Sequence, residues 1–246
     1  SMFGFQRVGD FIWAAADMRT KGFLLGATAG RTTLAGEGLQ HQDGHSHLMA
    51  SVIPNVKAYD PAFAYEIAII IHDGLQCMYV DQEDVFYYLT LENENYIQPP
   101  MPKNVTEAII KGMYKIQSTK SDYNNRVQLL GSGSMVNEVL EAAKLLKVDW
   151  QIDSDVWSVT SFSELHREAE DKSRWNTLHP DVKNKQSYLG FCMKSENGPV
   201  IAVSDYVKLV AEQIAPYINC PFVALGTDGF GRSETRDALR KFFEVN

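Results

Sequence analysis

One polar stretch of the chain, residues 30–47, concentrates side chains that can do chemistry. It reads GRTTLAGEGLQHQDGHSH, and its chemically active residues are His41, His45, His47, Glu37 and Asp43. Imidazole titrates near neutral pH, so a loop histidine can move protons or contact an anionic substrate. The stretch is rich in glycine and poor in aliphatic residues, and polar loops of this kind commonly carry binding and catalytic groups. We therefore predict that it is the functional centre.

Three interpretations of the loop histidines are open. His41 and His45 are four residues apart, which suits one face of a helix, and Asp43 adds an oxygen ligand for a metal. The spacing matches no zinc signature such as HExxH, which disfavours a metal. The second interpretation is contact with substrate or acid–base chemistry, and the third is a hydrogen-bonded helix cap. We favour function for His41 and the structural role for His45 and His47.

Two glycine-rich turns invite a phosphate-binding interpretation. The sequence Gly131–Ser134 lies between a predicted strand and a predicted helix, where backbone N–H groups can meet an anion. It is not GxGxxG and lacks the lysine of a P-loop, so we favour a tight turn capped by serine. The second turn begins at Gly226, where Ser233 is the predicted N-cap of the last helix. We interpret Asp228 and Arg232 there as surface or cap residues.

Composition limits the class of protein. The 246 residues are 45% hydrophobic and carry a net charge of -8, which favours a globular core and argues against a nucleic-acid binder. The three cysteines are widely spaced, as in a reducing compartment. The longest apolar run, near residues 67–71, is too short for a membrane span, and no signal peptide opens the sequence. We expect a soluble cytoplasmic protein that needs neither nucleic acid nor membrane.

The first part of the chain must hold the polar stretch between apolar elements. We predict helices at 5–18, 45–54 and 62–80, and strands at 23–28, 55–59 and 85–91. Asp60 and Pro61 read as the N-cap and first turn of the third helix. That helix is apolar nearly all round, which predicts burial between layers and makes His72 a hydrogen-bonded core histidine.

The pattern of apolar residues changes after residue 91. Residues 92–102 carry three of the nine prolines and read as a linker. Beyond it we predict helices at 106–116, 135–147, 163–175, 206–217 and 234–243, with strands at 127–130, 155–160, 199–203 and 222–225. Strands that alternate with helices indicate α/β sheets with parallel strands. We therefore predict two α/β domains that meet near residue 100.

Seven motifs, taken together, resemble one known family. They are SMFGFQRVGD, GRTTLAGEGLQHQDGHSH, YDPAFAYEIAIIIHDGL, NENY, LLGSGS, SVTSFSEL and GTDGFGRSETR. In order and spacing the chain is similar to the C-terminal part of the homodimeric-type pyruvate dehydrogenase, the decarboxylating component of the bacterial complex. The resemblance implies two transketolase-like α/β domains with parallel or mixed sheets. Residues 1–98 would form half of the pyrimidine-side middle domain, and residues 99–246 the transketolase C-terminal-like domain.

The resemblance also implies chemistry. The family decarboxylates pyruvate on thiamine diphosphate and transfers the two-carbon unit to a lipoyl group of the dihydrolipoamide acetyltransferase component, and it acts as a homodimer. Carried over, His41 hydrogen-bonds the pyruvate carboxylate, Glu37 lies close to it, and Asp43 and His45 support them. The motif for Mg²⁺ and the diphosphate is absent here, so we expect this chain alone to bind no cofactor or metal and to be inactive.

Two alternatives follow from what the sequence lacks. A stand-alone α/β module for binding or assembly would keep the fold without the cofactor motifs. A relative acting on a different 2-oxo acid would keep the chemistry, because residues that choose between acids lie partly outside this sequence.

Overall fold

The computed structural model describes residues 2–119 and 125–246, which form two sheets with helices packed against them. Ser1, the first residue of the first predicted domain, lies outside this part of the chain. None of the described helices is long and apolar enough to cross a membrane.

The first sheet has three parallel strands in the order β1-β3-β2: Phe23–Ala27 (β1), Val56–Tyr59 (β2) and Phe86–Leu91 (β3). The central strand reads FYYLTL, and its aromatic and β-branched residues suit a strand covered on both faces. The helices of this unit are Met2–Asp17 (α1), Ser46–Ser51 (α2) and Ala64–Leu75 (α3). Their apolar side chains bury β3 within one core.

The second sheet has five strands in the order β4-β6-β5-β7-β8. They are Met113–Ser118 (β4), Arg126–Gly131 (β5), Asp153–Val159 (β6), Val200–Val203 (β7) and Phe222–Leu225 (β8). Its helices are Thr106–Ile110 (α4), Met135–Trp150 (α5), Phe162–Leu178 (α6), Tyr188–Met193 (α7), Leu209–Glu212 (α8) and Arg236–Phe243 (α9). Strand β4 runs antiparallel to β6 and the other pairs are parallel, so the sheet is mixed.

Two of the predicted helices are wrong in part, and one helix was not predicted. The helix predicted at 106–116 ends at Ile110, because Gly112 takes a positive φ of 107° and the chain continues as strand β4. The helix predicted at 206–217 is interrupted: α8 is followed by a separate 3-10 turn at Ala215–Tyr217 that contains Pro216. Helix α7 has no counterpart among the predictions.

Helix α3 is not buried all round. Its exposed residues recur at helical spacing, and they are Ala64, Ala68, His72 and Leu75. The chain then widens into one turn of π-helix, Gln76–Val80, that leaves Tyr79 and Val80 exposed. The prediction of His72 as a core histidine is therefore wrong, because it points away from the core that Ile70 enters.

The predicted helix caps also need correction. Asp60 does not cap α3, which begins at Ala64 after the N-cap residue Phe63. Ser233 does not cap α9; Thr235 does, through its hydroxyl and the N–H of Ala238. The hydroxyl of Ser134 makes no cap hydrogen bond to α5.

The carboxyl ends of strands from the two sheets meet at one junction. Within each sheet the parallel strands deliver the residues that follow them to the same edge. The N–H of Asp60, which follows β2, donates to the carbonyl of Thr160, which follows β6, at 2.8 Å. The N–H of Gly133, after β5, donates to the carbonyl of Asp60 at 3.1 Å. The polar stretch 30–47 follows β1 and therefore enters this junction.

Candidate functional site

The loop at residues 30–47 has a buried base and an exposed tip. Residues 31–34 and 42–44 are buried, whereas Glu37 and His41 are both exposed on the tip between them. A single 3-10 turn, Leu39–His41, shapes the tip, and the N–H of His41 donates to the carbonyl of Gly38 at 3.0 Å. The two residues that we singled out thus face outward from this chain, where a bound molecule or another part of a protein can reach them.

Asp205, which follows β7, holds the start of the loop. Its carboxylate is fully buried and accepts the N–H of Arg31 at 2.8 Å, the N–H of Thr32 at 3.0 Å and the Thr32 hydroxyl at 2.7 Å. Gly30 has a φ of 84°, and a Cβ there would collide with this carboxylate. Burial raises the pKa of Asp205 to about 7, although its hydrogen bonds with Thr32 favour the ionised form.

The Arg31 side chain ties the loop to the turn after β8. Its guanidinium is buried and donates to the carbonyl oxygens of Thr227, at 2.6 Å, and of Gly229. Burial lowers the pKa of Arg31, whereas the negative charges of Asp43 and Asp205 act against that shift. Carbonyl oxygens that accept its N–H groups and negative charges nearby are what allow this cation to be buried.

Gln42, next to His41, closes the tip. Its amide nitrogen donates to the carbonyl of Leu34 at 3.1 Å, and its amide oxygen accepts the N–H of Arg232 at 2.5 Å. The side chain is fully buried. The two ends of the tip are therefore bonded to each other and to the turn that contains Arg232.

Asp43 contacts the first turn of helix α2, and its predicted role in supporting Glu37 and His41 stays a prediction. One carboxylate oxygen accepts the N–H groups of His45 and Ser46, each at 3.0 Å. The ring of His45 is partly buried, and burial together with the charge of Arg31 lowers its pKa. We find Nδ1 of His45 without a hydrogen-bond partner among the described residues.

His47 belongs to a buried polar chain rather than to the tip. Its Nε2 lies 2.9 Å from the hydroxyl of Thr90, which in turn donates to Asp60 at 2.6 Å. The ring packs edge-on against Tyr206 with the ring centroids 4.7 Å apart. Burial lowers the pKa of His47 more than the nearby charge of Asp60 raises it.

Asp60 and Glu92 form an acidic pair at the Gly131–Ser134 turn. A Cβ on Gly133 would contact the carboxylates of both, so both face the same small volume. Burial, and next the charge of Asp60, raise the pKa of Glu92 well above its usual range. Buried acids would repel a phosphate, so the structure favours the tight-turn interpretation of this motif over an anion site.

The described residues offer one group of side chains close enough to share a metal. These are Cys77, Asp81 and Glu83, at the end of the helical segment after α3. The Lys57 amine lies 3.6 Å from Glu83 and 3.9 Å from the Cys77 sulfur, so a cation already balances the charge there. Among the described residues the loop histidines do not form such a group.

Sequence analysis missed the residues that hold the loop. Arg31 lies in the stretch but reads as an exposed cation, and Asp205 reads as an ordinary residue after a strand. Glu92 belongs to the predicted linker. The one available signal was position, because each follows a strand whose carboxyl end enters the junction.

Comparison with known proteins places both parts of the chain. The family model of the pyruvate dehydrogenase E1 component middle domain matches residues 1–99, and that of the transketolase-like TK C-terminal domain matches residues 112–246. The pyruvate dehydrogenase E1 components of Pseudomonas aeruginosa and Escherichia coli K12 are 58% and 52% identical over the whole chain. The chain spans 28% of the length of each.

Solved structures support the same fold. Transketolase from Campylobacter jejuni superposes over the whole chain, which covers 33% of it, with a TM-score of 0.72 at 19% identity. A split gene transketolase, described as an inactive beta4 tetramer, superposes with a TM-score of 0.61 at 16% identity, and this chain covers 70% of it. The predicted transketolase-like α/β fold and the resemblance to the pyruvate dehydrogenase E1 component are therefore confirmed, and the chain belongs to the transketolase-like family.

Proposed function

We propose that this chain is part of a pyruvate dehydrogenase E1 component and supplies the loop that contacts the substrate. The observation that carries the proposal is the loop itself: a chain that is 58% identical to an E1 component over 28% of that relative's length exposes Glu37 and His41 on a tip with a buried, hydrogen-bonded base. Residues 1–98 would be the second half of the middle domain, and residues 99–246 the C-terminal domain.

The exposed imidazole of His41 can donate a hydrogen bond to the carboxylate of pyruvate and hold it in one orientation. The carboxylate of Glu37, on the same tip, can hold a proton or a hydrogen-bond donor beside it. The 3-10 turn fixes His41 relative to Gly38, and Gln42 fixes the end of the tip. The role of this chain is thus orientation of the substrate, which raises the rate when the reacting atoms are aligned.

The relatives' identity as E1 components and transketolases implies thiamine diphosphate, and we propose Mg²⁺ with it. The tip offers an imidazole and a carboxylate, which fit the substrate side of such a site. Among the described residues the grouped metal ligands include a thiol and a lysine neighbour, which do not suit Mg²⁺. We propose that the diphosphate and Mg²⁺ bind parts of the enzyme outside this chain. When bound, the cofactor supplies the carbanion and the electron sink for decarboxylation.

Partners follow from the same proposal. The enzyme would act as a homodimer and pass its two-carbon unit to the lipoyl group of the acetyltransferase component. Exposed apolar residues of this chain, among them Phe11, Val80 and Phe230, are surfaces that other parts of such an assembly can cover.

A grafted enzyme tests the proposal. The matching segment of the P. aeruginosa E1 component is replaced by this chain, which is 58% identical to it. We expect pyruvate-dependent turnover with thiamine diphosphate, and a loss of about 100-fold in kcat/KM for His41→Ala, the usual range for a lost general acid–base or orienting group. His179→Ala, an exposed histidine on α6's C-terminal side, is the matched control and should change nothing.

Three outcomes contradict the proposal in different ways. Turnover of a larger 2-oxo acid in place of pyruvate would favour the related dehydrogenase. A folded graft that binds no thiamine diphosphate would favour an assembly module. Full activity of His41→Ala would remove the assigned role of His41.

A further inference from the structure

We propose that Asp205, on the second sheet, is the positioning residue for the tip that carries Glu37 and His41. The proposal deepens the proposed function, because the tip is the part of this chain that we expect to contact the substrate. Asp205 touches the base of the loop and acts through it. It follows β7, and 164 residues separate it from His41 in the sequence, so only the fold brings it to the loop.

Both ends of the loop are held by neighbouring residues after β7. The Asp205 carboxylate takes three donors from Arg31 and Thr32 at the start of the loop, at 2.7–3.0 Å. Two residues later, the N–H of Val207 donates to the carbonyl of Gly44 at 3.0 Å, beyond the tip. The separation of the two ends is therefore set by three consecutive residues of one strand end.

The carboxylate is the group that this position requires. Two of its three donors are backbone N–H groups of buried residues, which lose their partners if the acceptor is removed. An amide in place of the carboxylate keeps the shape, but in either orientation its NH₂ faces the N–H of Thr32, which lies 3.0 Å from both carboxylate oxygens. Gly30 allows the backbone to approach this closely, since a Cβ there would collide with Asp205.

The first experiment uses the 246-residue chain and measures amide hydrogen exchange. We expect Asp205→Asn to speed exchange in peptides covering residues 31–44 at least 10-fold, with no change in β5 or β6. Asp171→Asn, an exposed acid on α6, is the control and should alter neither. Thr32→Val should speed exchange of the same peptides by a smaller factor, and Thr32→Ser, which keeps the hydroxyl, should restore slow exchange.

The second experiment uses the grafted E1 component and separates positioning from general stability. We expect Asp205→Asn to lower kcat/KM for pyruvate at least 10-fold while the affinity for thiamine diphosphate stays within 3-fold. If Asp205 acts through the tip, the double variant with His41→Ala should be no slower than His41→Ala alone. Residues that act independently would instead lose activity multiplicatively.

The outcomes decide the proposal separately from the proposed function. Unchanged exchange at residues 31–44 in Asp205→Asn overturns it, whatever the enzyme does. Faster exchange everywhere, including β5 and β6, also overturns it, because Asp205 would then serve stability alone. A multiplicative loss in the double variant removes the link to His41. If the graft with the unaltered chain is inactive, the proposed function fails, and the exchange experiment still decides the role of Asp205.

Discussion

The hydroxyl of Thr90 lies 2.9 Å from Nε2 of His47, and that hydroxyl donates its own proton to Asp60 at 2.6 Å. A hydroxyl has one proton to donate, so its bond with Nε2 must be one that it accepts. His47 is therefore the tautomer that carries its proton on Nε2. This row of hydrogen bonds runs from His47 through Thr90 to Asp60. It joins helix α2 to the ends of β3 and β2.

This arrangement predicts how His47 responds to pH. Its pKa is lowered in the folded protein, so the unfolded chain takes up a proton first as the pH falls below about 6.5. The stabilising contribution is present above that pH and is lost below it. Relative to His47→Gln, the wild-type chain should lose up to about 1.4 kcal/mol of unfolding free energy per pH unit between pH 6.5 and 5. Urea unfolding of the wild-type chain and His47→Gln at pH 5, 6 and 7 measures this difference. If the unfolding free energies of the two change in parallel with pH, the prediction is refuted.

Glu92 predicts the opposite dependence of stability on pH. Its pKa is raised, so the folded state keeps its proton while the unfolded chain ionises above about pH 4.5. A protonated Glu92 can donate to the Oδ2 atom of Asp60, for which the described residues provide no other hydrogen-bond partner. The wild-type chain should therefore lose stability as the pH rises, whereas Glu92→Gln, a neutral mimic of the protonated acid, should not.

Unfolding at pH 5 and pH 8 tests the Glu92 prediction. The difference in unfolding free energy between Glu92→Gln and the wild-type chain should shift in favour of the variant as the pH rises, by up to about 1.4 kcal/mol per unit. Glu107→Gln is the control, because Glu107 is an exposed residue of α4. A shift against Glu92→Gln would mean that the carboxylate is ionised and bound to a cation.

Some elements of the fold could be predicted from the sequence and others could not. Strands such as β3 and β8 were predictable because a short apolar run between turn residues has few other solutions. The strand β4 was missed because MYKIQS, joined to α4 through Gly112, keeps a helical apolar spacing in sequence. Local pattern carries no information on the partner that makes such a segment a strand, which here is β6.

The residues of the candidate site also divide into those that the sequence indicated and those that it did not. His41 was singled out as a histidine in a polar, glycine-rich loop and Glu37 through the family resemblance; both lie on the exposed tip, and their roles stay predictions. Arg31 and Asp205 were missed because each alone reads as a surface charge. The backbone N–H of Arg31 meets the Asp205 carboxylate across 174 positions of sequence, and the Arg31 guanidinium meets the carbonyl of Thr227 across 196, so only the folded chain supplies their partners.

A buried ion-pair network predicts a stability effect at Arg240 on α9. Its guanidinium lies 2.5 Å from Glu94, in the predicted linker, and 3.0 Å from Glu138 on α5. The Arg240 side chain is only 10% exposed, so its removal leaves two poorly solvated carboxylates. We expect Arg240→Met to lower the unfolding free energy by about 3 kcal/mol, the range for one missing partner of a buried pair.

Two comparisons check the origin of that loss. Lys241→Met, at the exposed neighbouring position, should change stability by less than about 0.5 kcal/mol. Adding Glu94→Gln to Arg240→Met should recover part of the loss, because it removes one of the carboxylates left without its cation. A double variant that is less stable than Arg240→Met would show that Glu94 stabilises the fold by other contacts.

The exposed side of α3 predicts self-association. Ala64, Ala68 and Leu75 lie on it at helical spacing together with His72, and a helix with an uncovered, largely apolar stripe usually packs against another element. In the proposed homodimer this stripe is a candidate contact.

Ala68→Glu should shift the chain toward monomer in sedimentation velocity at micromolar concentration. It should leave the unfolding free energy within about 0.5 kcal/mol, because the position is exposed. Ser173→Glu, an equal charge change on the exposed side of α6, should leave the association as it is. If both variants or neither reduce association, the stripe on α3 is not the contact, and the dimer surface must be sought elsewhere on the chain.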